Sequence, residues 1–232
     1  MAVLSVLKGY SKSFWTSNTI ELFERWAWYG FYLAFPLFLV GSTDTGALGF
    51  SNAEKGAIMG TSSALLYFLP VITGAIADKV GYKRILLLAF SIYITGFLMI
   101  SSFNSYWPVY FAFMWTCIGG AFFKPIISAM IAKTTNEKTA SIGFGIFYMM
   151  INIGGFIGPF IAGALLKLSW AWVFYMSVAA IGVNVLLTLF MFREPGVEKD
   201  GKSLLQNIAQ AFKNIWITLQ NWKYVLFLVI MI

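Results

Sequence analysis

The chain has no histidine, a single cysteine and little charge. Asp, Glu, Lys and Arg make up 11% of its 232 residues, against about 25% in an average soluble domain. Each shortage excludes something. Without histidine there is no histidine-based catalytic triad and no histidine-containing metal centre. With Cys117 alone there is no disulfide framework. Cys117 lies in an apolar segment with no candidate base beside it, and no phosphate-binding Gly-Lys loop occurs, so the chain does not read as an enzyme and no cofactor is expected. So few polar residues cannot clothe a soluble domain, and a disordered tail or a coiled coil would need more of them. What is present is apolar: 59% hydrophobic residues, with 23 Phe, 11 Tyr and 9 Trp. The composition predicts an all-α membrane protein crossing the lipid bilayer several times.

Six apolar stretches of spanning length can be placed, at about 20–40, 56–77, 85–102, 107–132, 141–166 and 170–192. A seventh begins at Trp222 and runs to Ile232; its eleven residues cover about 16 Å, half of a hydrocarbon core. The expectation is therefore a fragment of a longer protein: a six-span bundle over 1–192, a cytoplasmic linker over 193–221, and the start of a seventh span over 222–232. Within the linker, Leu204, Leu205, Ile208, Ala211, Phe212, Ile215 and Leu219 recur at helical spacing, opposite Lys202, Gln206, Gln210, Lys213 and Asn214. This pattern predicts an amphipathic helix lying on the inner membrane surface. Six spans, a linker and a further span form the layout of one half of a two-bundle transporter. With the N-terminus in the cytoplasm, twelve Lys and Arg fall on the inner side and two, Lys55 and Lys167, on the outer; Arg25 and Lys124 lie inside spans. That asymmetry predicts an N-in protein of a plasma membrane or bacterial inner membrane. It also accounts for the net charge of +7 without nucleic acid, since the cations are scattered over loops.

Ionisable residues inside spans are expensive and mark function. In the first span Glu21, Glu24, Arg25, Trp28, Tyr29 and Tyr32 share a sector of about 140° at helical spacing. Two readings stand: Glu21 and Arg25 pair (i, i+4) as a structural anchor, or a carboxyl left over from that pairing loads and releases a proton. Lys124, in the fourth span before Pro125, is about 12 Å from the span end at Ala132, far for a snorkelling lysine. Pro125 frees a backbone carbonyl, which inside a membrane must find another donor. In the fifth span Tyr148 and Asn152 share a stripe with Gly145, Gly155 and Pro159. They read as cavity residues or, for Asn152, as polar glue between helices. Glu24, Arg25, Lys124, Tyr148 and Asn152 fall at one depth in three spans, where a solute and proton site is expected. The loop from Gly74 to Arg84 gathers Asp78, Lys79, Lys83 and Arg84 between spans two and three, either as a topological charge cluster or as an inner gate that bridges two bundles in one conformation.

These residues carry a resemblance. Gly74-x-x-x-Asp78-Lys79-x-Gly81-x-Lys83-Arg84 resembles the loop signature of the major facilitator superfamily. Glu21-x-x-Glu24-Arg25-Trp-x-Trp-Tyr29-Gly30 is similar to the E-x-x-E-R-F-x-Y-Y-G motif of the proton-coupled oligopeptide transporters. Lys124-Pro125-x-x-Ser128 resembles that family's K-P-x-x-S stretch, and Phe147-Tyr148-x-x-Ile151-Asn152-x-Gly154 its F-Y-x-x-I-N-x-G motif. The motifs occur in the family's order, over about residues 14–193, with Trp26 and Trp28 making the first face bulkier. The resemblance implies the N-terminal six-helix half of a symporter of di- and tripeptides with protons. It assigns Glu21, Glu24, Arg25 and Lys124 to proton coupling. It places Arg25 and Lys124 on the peptide carboxylate, with Tyr29, Tyr148 and Asn152 lining the cavity. It also implies a C-terminal bundle that this chain lacks. The residues themselves leave open another small organic anion or a drug as solute, and a non-transporting receptor or adaptor.

Overall fold

The computed structural model describes residues 7, 9–194, 204–222 and 224–226. Among the described residues seven α-helices with defined bounds follow one another: α1 Lys12–Val40, α2 Asn52–Val80, α3 Tyr82–Ser102, α4 Tyr106–Lys133, α5 Ala140–Leu165, α6 Trp170–Phe190 and α7 Leu204–Leu219. No strand occurs among the described residues. Helices α2 to α6 are each long and apolar enough to cross a membrane, so the protein is a multi-pass membrane protein. Helix α1 has the length, 29 residues, but not the composition, because Glu21, Glu24 and Arg25 sit in it.

Capping places several helix starts. Ser11 accepts a hydrogen bond from the Phe14 N–H, so α1 begins at Lys12, eight residues before the expected start of the apolar run. A capping box starts α2: Ser51 Oγ accepts from the Glu54 N–H while the Glu54 carboxylate accepts from the Ser51 N–H at 2.8 Å. Helices α1 and α2 are joined by a tight connection in which the N–H groups of Leu48 and Phe50 donate back to the carbonyls of Phe38 and Leu39.

Helix α1 is the hub. It packs chiefly on α5 and α6, while α4 packs on α3 and α2. Gly154 and Gly158 of α5 let that helix approach α1 so closely that a Cβ on either would strike the carbonyls of Leu22 and Trp26. On the other side, Phe31 and Phe35 meet Phe97 of α3, Phe113 of α4 and Phe174 of α6, with the Phe35 and Phe113 rings 4.4 Å apart. All five are buried. Helices α2 and α5 leave much of their surface uncovered, with Tyr67, Phe68, Phe156 and Phe160 largely exposed.

A helix occurs in the linker as α7. It packs along α2, and Phe212 joins Leu65, Phe68, Ile72 and Phe111 around an apolar cavity. Residues 195–203 of the linker, and Lys223 and 227–232 of the seventh stretch, lie outside the described residues.

Candidate functional site

The charged residues of α1 and α4 meet inside the bundle. Lys124 Nζ donates to Glu21 Oε1 at 2.8 Å, and Arg25 Nε stands 3.5 Å from the same oxygen. Arg25 makes its main contact with the carboxylate next to it in sequence: Nε and Nη2 donate to the two oxygens of Glu24 at 2.5 and 2.7 Å. Tyr93 of α3 donates its hydroxyl to Glu24 Oε1 at 2.6 Å. Both carboxylates are fully buried. Two acids and two bases thus form one neutral cluster, the arrangement that makes buried charge tolerable at membrane depth. Glu21 and Arg25 are not an isolated anchor pair, since Lys124 takes Glu21 and Arg25 turns to Glu24. The carboxyl that α1 leaves over on its own finds its partner on α4.

Local structure holds these side chains. Pro125 cannot donate to the carbonyl of Ala121, and Thr73 of α2 supplies the missing bond, its Oγ1 donating to that carbonyl at 2.6 Å. The proline therefore ties α4 to α2 one turn from Lys124. The Lys124 ammonium lies 5.3 Å from the centroid of the Phe147 ring, and the Arg25 guanidinium 5.6 Å from that of Tyr29. Trp28 stacks on Tyr32 at 5.3 Å and stiffens the aromatic face.

A cavity of about 280 Å³ opens beside the cluster, lined by Arg25, Trp28, Tyr29, Tyr32, Ser63, Leu66, Tyr67, Tyr93, Gly120 and Lys124. Lys124 is 41% exposed while its partner Glu21 is buried. One cation therefore faces the cavity with a carboxylate behind it, a geometry that can receive an anionic group while the buried acid keeps the charge balanced.

The structure brings Glu21, Glu24, Arg25, Tyr29 and Lys124 together. It does not bring Tyr148 and Asn152 into the same cavity. Both are exposed on α5, Tyr148 by 61%, and line a separate shallow cavity with Gly145, Met149, Ile153 and Phe156. Asn152 donates to the Tyr148 carbonyl within its own helix. Sequence reasoning missed Tyr93, Ser63 and Tyr67. Ser63 and Tyr67, at i and i+4, carried a weak signal as one polar edge on an apolar helix. Tyr93 carried none, because its partner lies 69 residues away.

At the α2–α3 turn, Asp78 accepts from the Tyr82 hydroxyl at 2.6 Å, and Lys83 Nζ donates to the Leu189 carbonyl at 2.8 Å. Gly81 turns the chain at φ +108°, and a side chain there would meet the carboxylate of Glu194, which accepts the Tyr82 N–H at the start of α3. Lys133 lies over the Tyr82 ring at 4.8 Å. Asp78, Lys79 and Arg84 are exposed. The cluster thus stitches the end of α2 to α3 and α6 and leaves a charged outer surface.

Comparison with known proteins gives a consistent picture. The sequence pattern of the Major Facilitator Superfamily matches residues 19–232. An uncharacterized transporter of Bacillus subtilis (strain 168) is 28% identical over 187 residues, which cover 79% of this chain and 37% of that protein. A dipeptide and tripeptide permease A of Yersinia pestis is 29% identical over 225 residues, covering 91% of this chain and 43% of that protein. The crystal structure of a peptide transporter POT in complex with sulfate superimposes with a TM-score of 0.72 at 21% identity, over 91% of this chain and 46% of that one. A POT family transporter in complex with a thioalcohol-conjugated peptide gives 0.73 at 22% identity, again over 91% and 46%. At these identities the structures show the fold. The chain spans less than half the length of the relatives it matches.

Proposed function

The chain belongs to the major facilitator superfamily, and from that premise we propose that it is the N-terminal half of a proton-coupled symporter of di- and tripeptides. The observation that carries this reading is the neutral cluster of Glu21, Glu24, Arg25 and Lys124, with one cation open to an aromatic cavity. The relatives' names, which concern dipeptides, tripeptides and peptide transport, support the choice of solute.

The mechanism follows from charge balance. A proton taken up by Glu21 or Glu24 discharges one acid of a buried set of four and leaves one cation in excess. A peptide carboxylate arriving at Lys124 and Arg25 supplies the missing negative charge. Proton and peptide therefore favour each other's presence, which is the coupling a symporter needs. Tyr29, with Tyr148 and Asn152 on the neighbouring face of α5, would line the peptide's path. The uncovered faces of α2 and α5 are where a second bundle would pack, and rocking of the two bundles around the cluster would expose it alternately to each side. Asp78, Lys79, Lys83 and Arg84 would form the gate on the cytoplasmic side, with the N-terminus on that side and the protein in a plasma membrane or bacterial inner membrane.

The test is uptake of a labelled dipeptide into proteoliposomes under an imposed inward proton gradient, using the complete reading frame. Uptake that is competed by unlabelled dipeptides and lost in Lys124→Ala is expected. Uptake competed instead by small organic anions alone would replace the peptide with another solute.

A further inference from the structure

A basic cavity of about 520 Å³ opens where the N-terminal end of α1 meets the C-terminal end of α6. Helices α2 and α5, with their uncovered faces, contribute no residue to it. Ser13 Oγ donates to the Arg193 carbonyl at 3.4 Å, and Asn184 Nδ2 to the Ile20 carbonyl at 3.0 Å. The two helices therefore run antiparallel, and these two ends share one membrane face. Lys12, the first residue of α1, and Arg193, just beyond the end of α6, both line the cavity and are exposed. Among the described residues neither forms an ion pair. Glu194, the acid next in sequence, turns its carboxylate to the Tyr82 N–H. Thr16 and Thr19 add hydroxyls to the wall, but each donates within its own helix, to the Lys12 and Trp15 carbonyls at 2.9 Å. Those oxygens are left as acceptors, so the attraction for negative charge rests on the two cations. The rest of the wall is apolar: Leu187, Phe190 and Met191 at the end of α6, with Phe190 81% exposed, and the Trp15 ring of α1.

Two uncompensated cations above an apolar wall, at the end of two membrane helices, define what fits. A soluble anion would neutralise the cations and leave the wall bare. A zwitterionic lipid would cover the wall but bring a cation of its own beside Lys12 and Arg193. A lipid with net negative charge satisfies both halves. We propose that this cavity is a binding site for an anionic phospholipid, its headgroup phosphodiester between Lys12 and Arg193 and the start of an acyl chain along Leu187 and Phe190. In the N-in orientation proposed above this is the cytoplasmic leaflet, whose anionic lipids attract basic segments. Trp15 beside the headgroup is in the interfacial position that tryptophan favours. Bound there, the lipid ties the end of α6 to the start of α1. The site is independent of the solute and of proton coupling, since neither the carboxylates of α1 nor Lys124 lines the cavity.

The test measures lipid binding to the purified protein of the complete reading frame. Native mass spectrometry compares phosphatidylglycerol with phosphatidylcholine of the same acyl chains. Each cation beside an anionic headgroup is worth about fivefold in binding, so Lys12→Gln/Arg193→Gln is expected to bind phosphatidylglycerol about thirtyfold more weakly, with phosphatidylcholine unchanged. Lys55→Gln/Lys167→Gln, which removes cations outside the cavity, and the charge-keeping Lys12→Arg/Arg193→Lys should both behave like the parent. Unchanged phosphatidylglycerol binding in Lys12→Gln/Arg193→Gln overturns the site, as does an equal loss of both lipids, which reports packing rather than charge. Displacement of phosphatidylglycerol by an equal concentration of glycerol phosphate makes this a site for a free phosphate and overturns the lipid. Phosphatidylglycerol with brominated acyl chains reads the position: it should quench the fluorescence that Trp15→Phe removes. Equal quenching in the parent and in Trp15→Phe places the lipid elsewhere and overturns the proposal.

Discussion

The two flanks of this bundle are built differently. In α3 and α4, 50% and 56% of the apolar stretch is buried; in α2 and α5 only 17% and 22% is. The first flank is closed by interlocking aromatic rings: Phe31, Phe35, Phe97 and Phe113 fill the space between α1, α3 and α4. The second presents Tyr67, Phe68, Tyr148 and Phe156 outward, and the cavity beside the charged cluster draws Ser63, Leu66 and Tyr67 from it. Dense packing and open surface are thus separated by side. The closed flank holds α1 and delivers Tyr93 to Glu24. The open flank carries the surfaces that a partner bundle, or α7, can cover. In lipid the distinction cannot rest on hydrophobicity, since both flanks are apolar; it rests on packing.

Substitutions can break this contrast or sharpen it. The largest effect is expected within α5 itself. Gly158→Leu forces a side chain into the Trp26 carbonyl and should abolish the folded, monodisperse protein. Gly145→Ala and Gly163→Ala, which meet open space, should leave its melting temperature unchanged; fluorescence-detected size-exclusion chromatography after heating reads all three. Next, Phe113→Ala should cost about 3 kcal/mol, mainly through the cavity left behind. Phe156→Ala on the open flank, 71% exposed, should change stability by less than about 0.5 kcal/mol. Equal losses at these two positions would mean that the open flank is packed after all. A smaller effect is expected at the join of the two regions: Tyr93→Phe removes one hydrogen bond to a buried carboxylate, about 1.5–3 kcal/mol in stability, and should leave the aromatic packing in place.

Much of this was legible in the sequence, for identifiable reasons. Helix lengths followed from apolar runs, and errors fell where capping rather than hydropathy decides: Ser11 starts α1 well before its apolar run, and the Ser51–Glu54 box starts α2 ahead of Gly56. The charges of α1 and Lys124 were conspicuous because lipid tolerates so few, and the orphan carbonyl before Pro125 could be foreseen, though not that Thr73 would take it. Pairing within the cluster was not legible: helical spacing favoured Glu21 with Arg25, and only the position of α4 shows why Arg25 prefers Glu24. Amphipathic patterning predicted a helix in the linker; its contact with α2 was not legible, because the open flank of α2 is a property of the fold.

The central claim is that a buried carboxylate of the cluster couples a proton to solute movement. Glu24→Gln, reconstituted in the complete reading frame, tests it most directly through two assays on the same vesicles. The account predicts that uptake driven by a proton gradient is lost while counterflow exchange of dipeptide persists, because Gln keeps the shape of Glu24 but cannot change charge. Gradient-driven uptake that continues at the parental rate would contradict it.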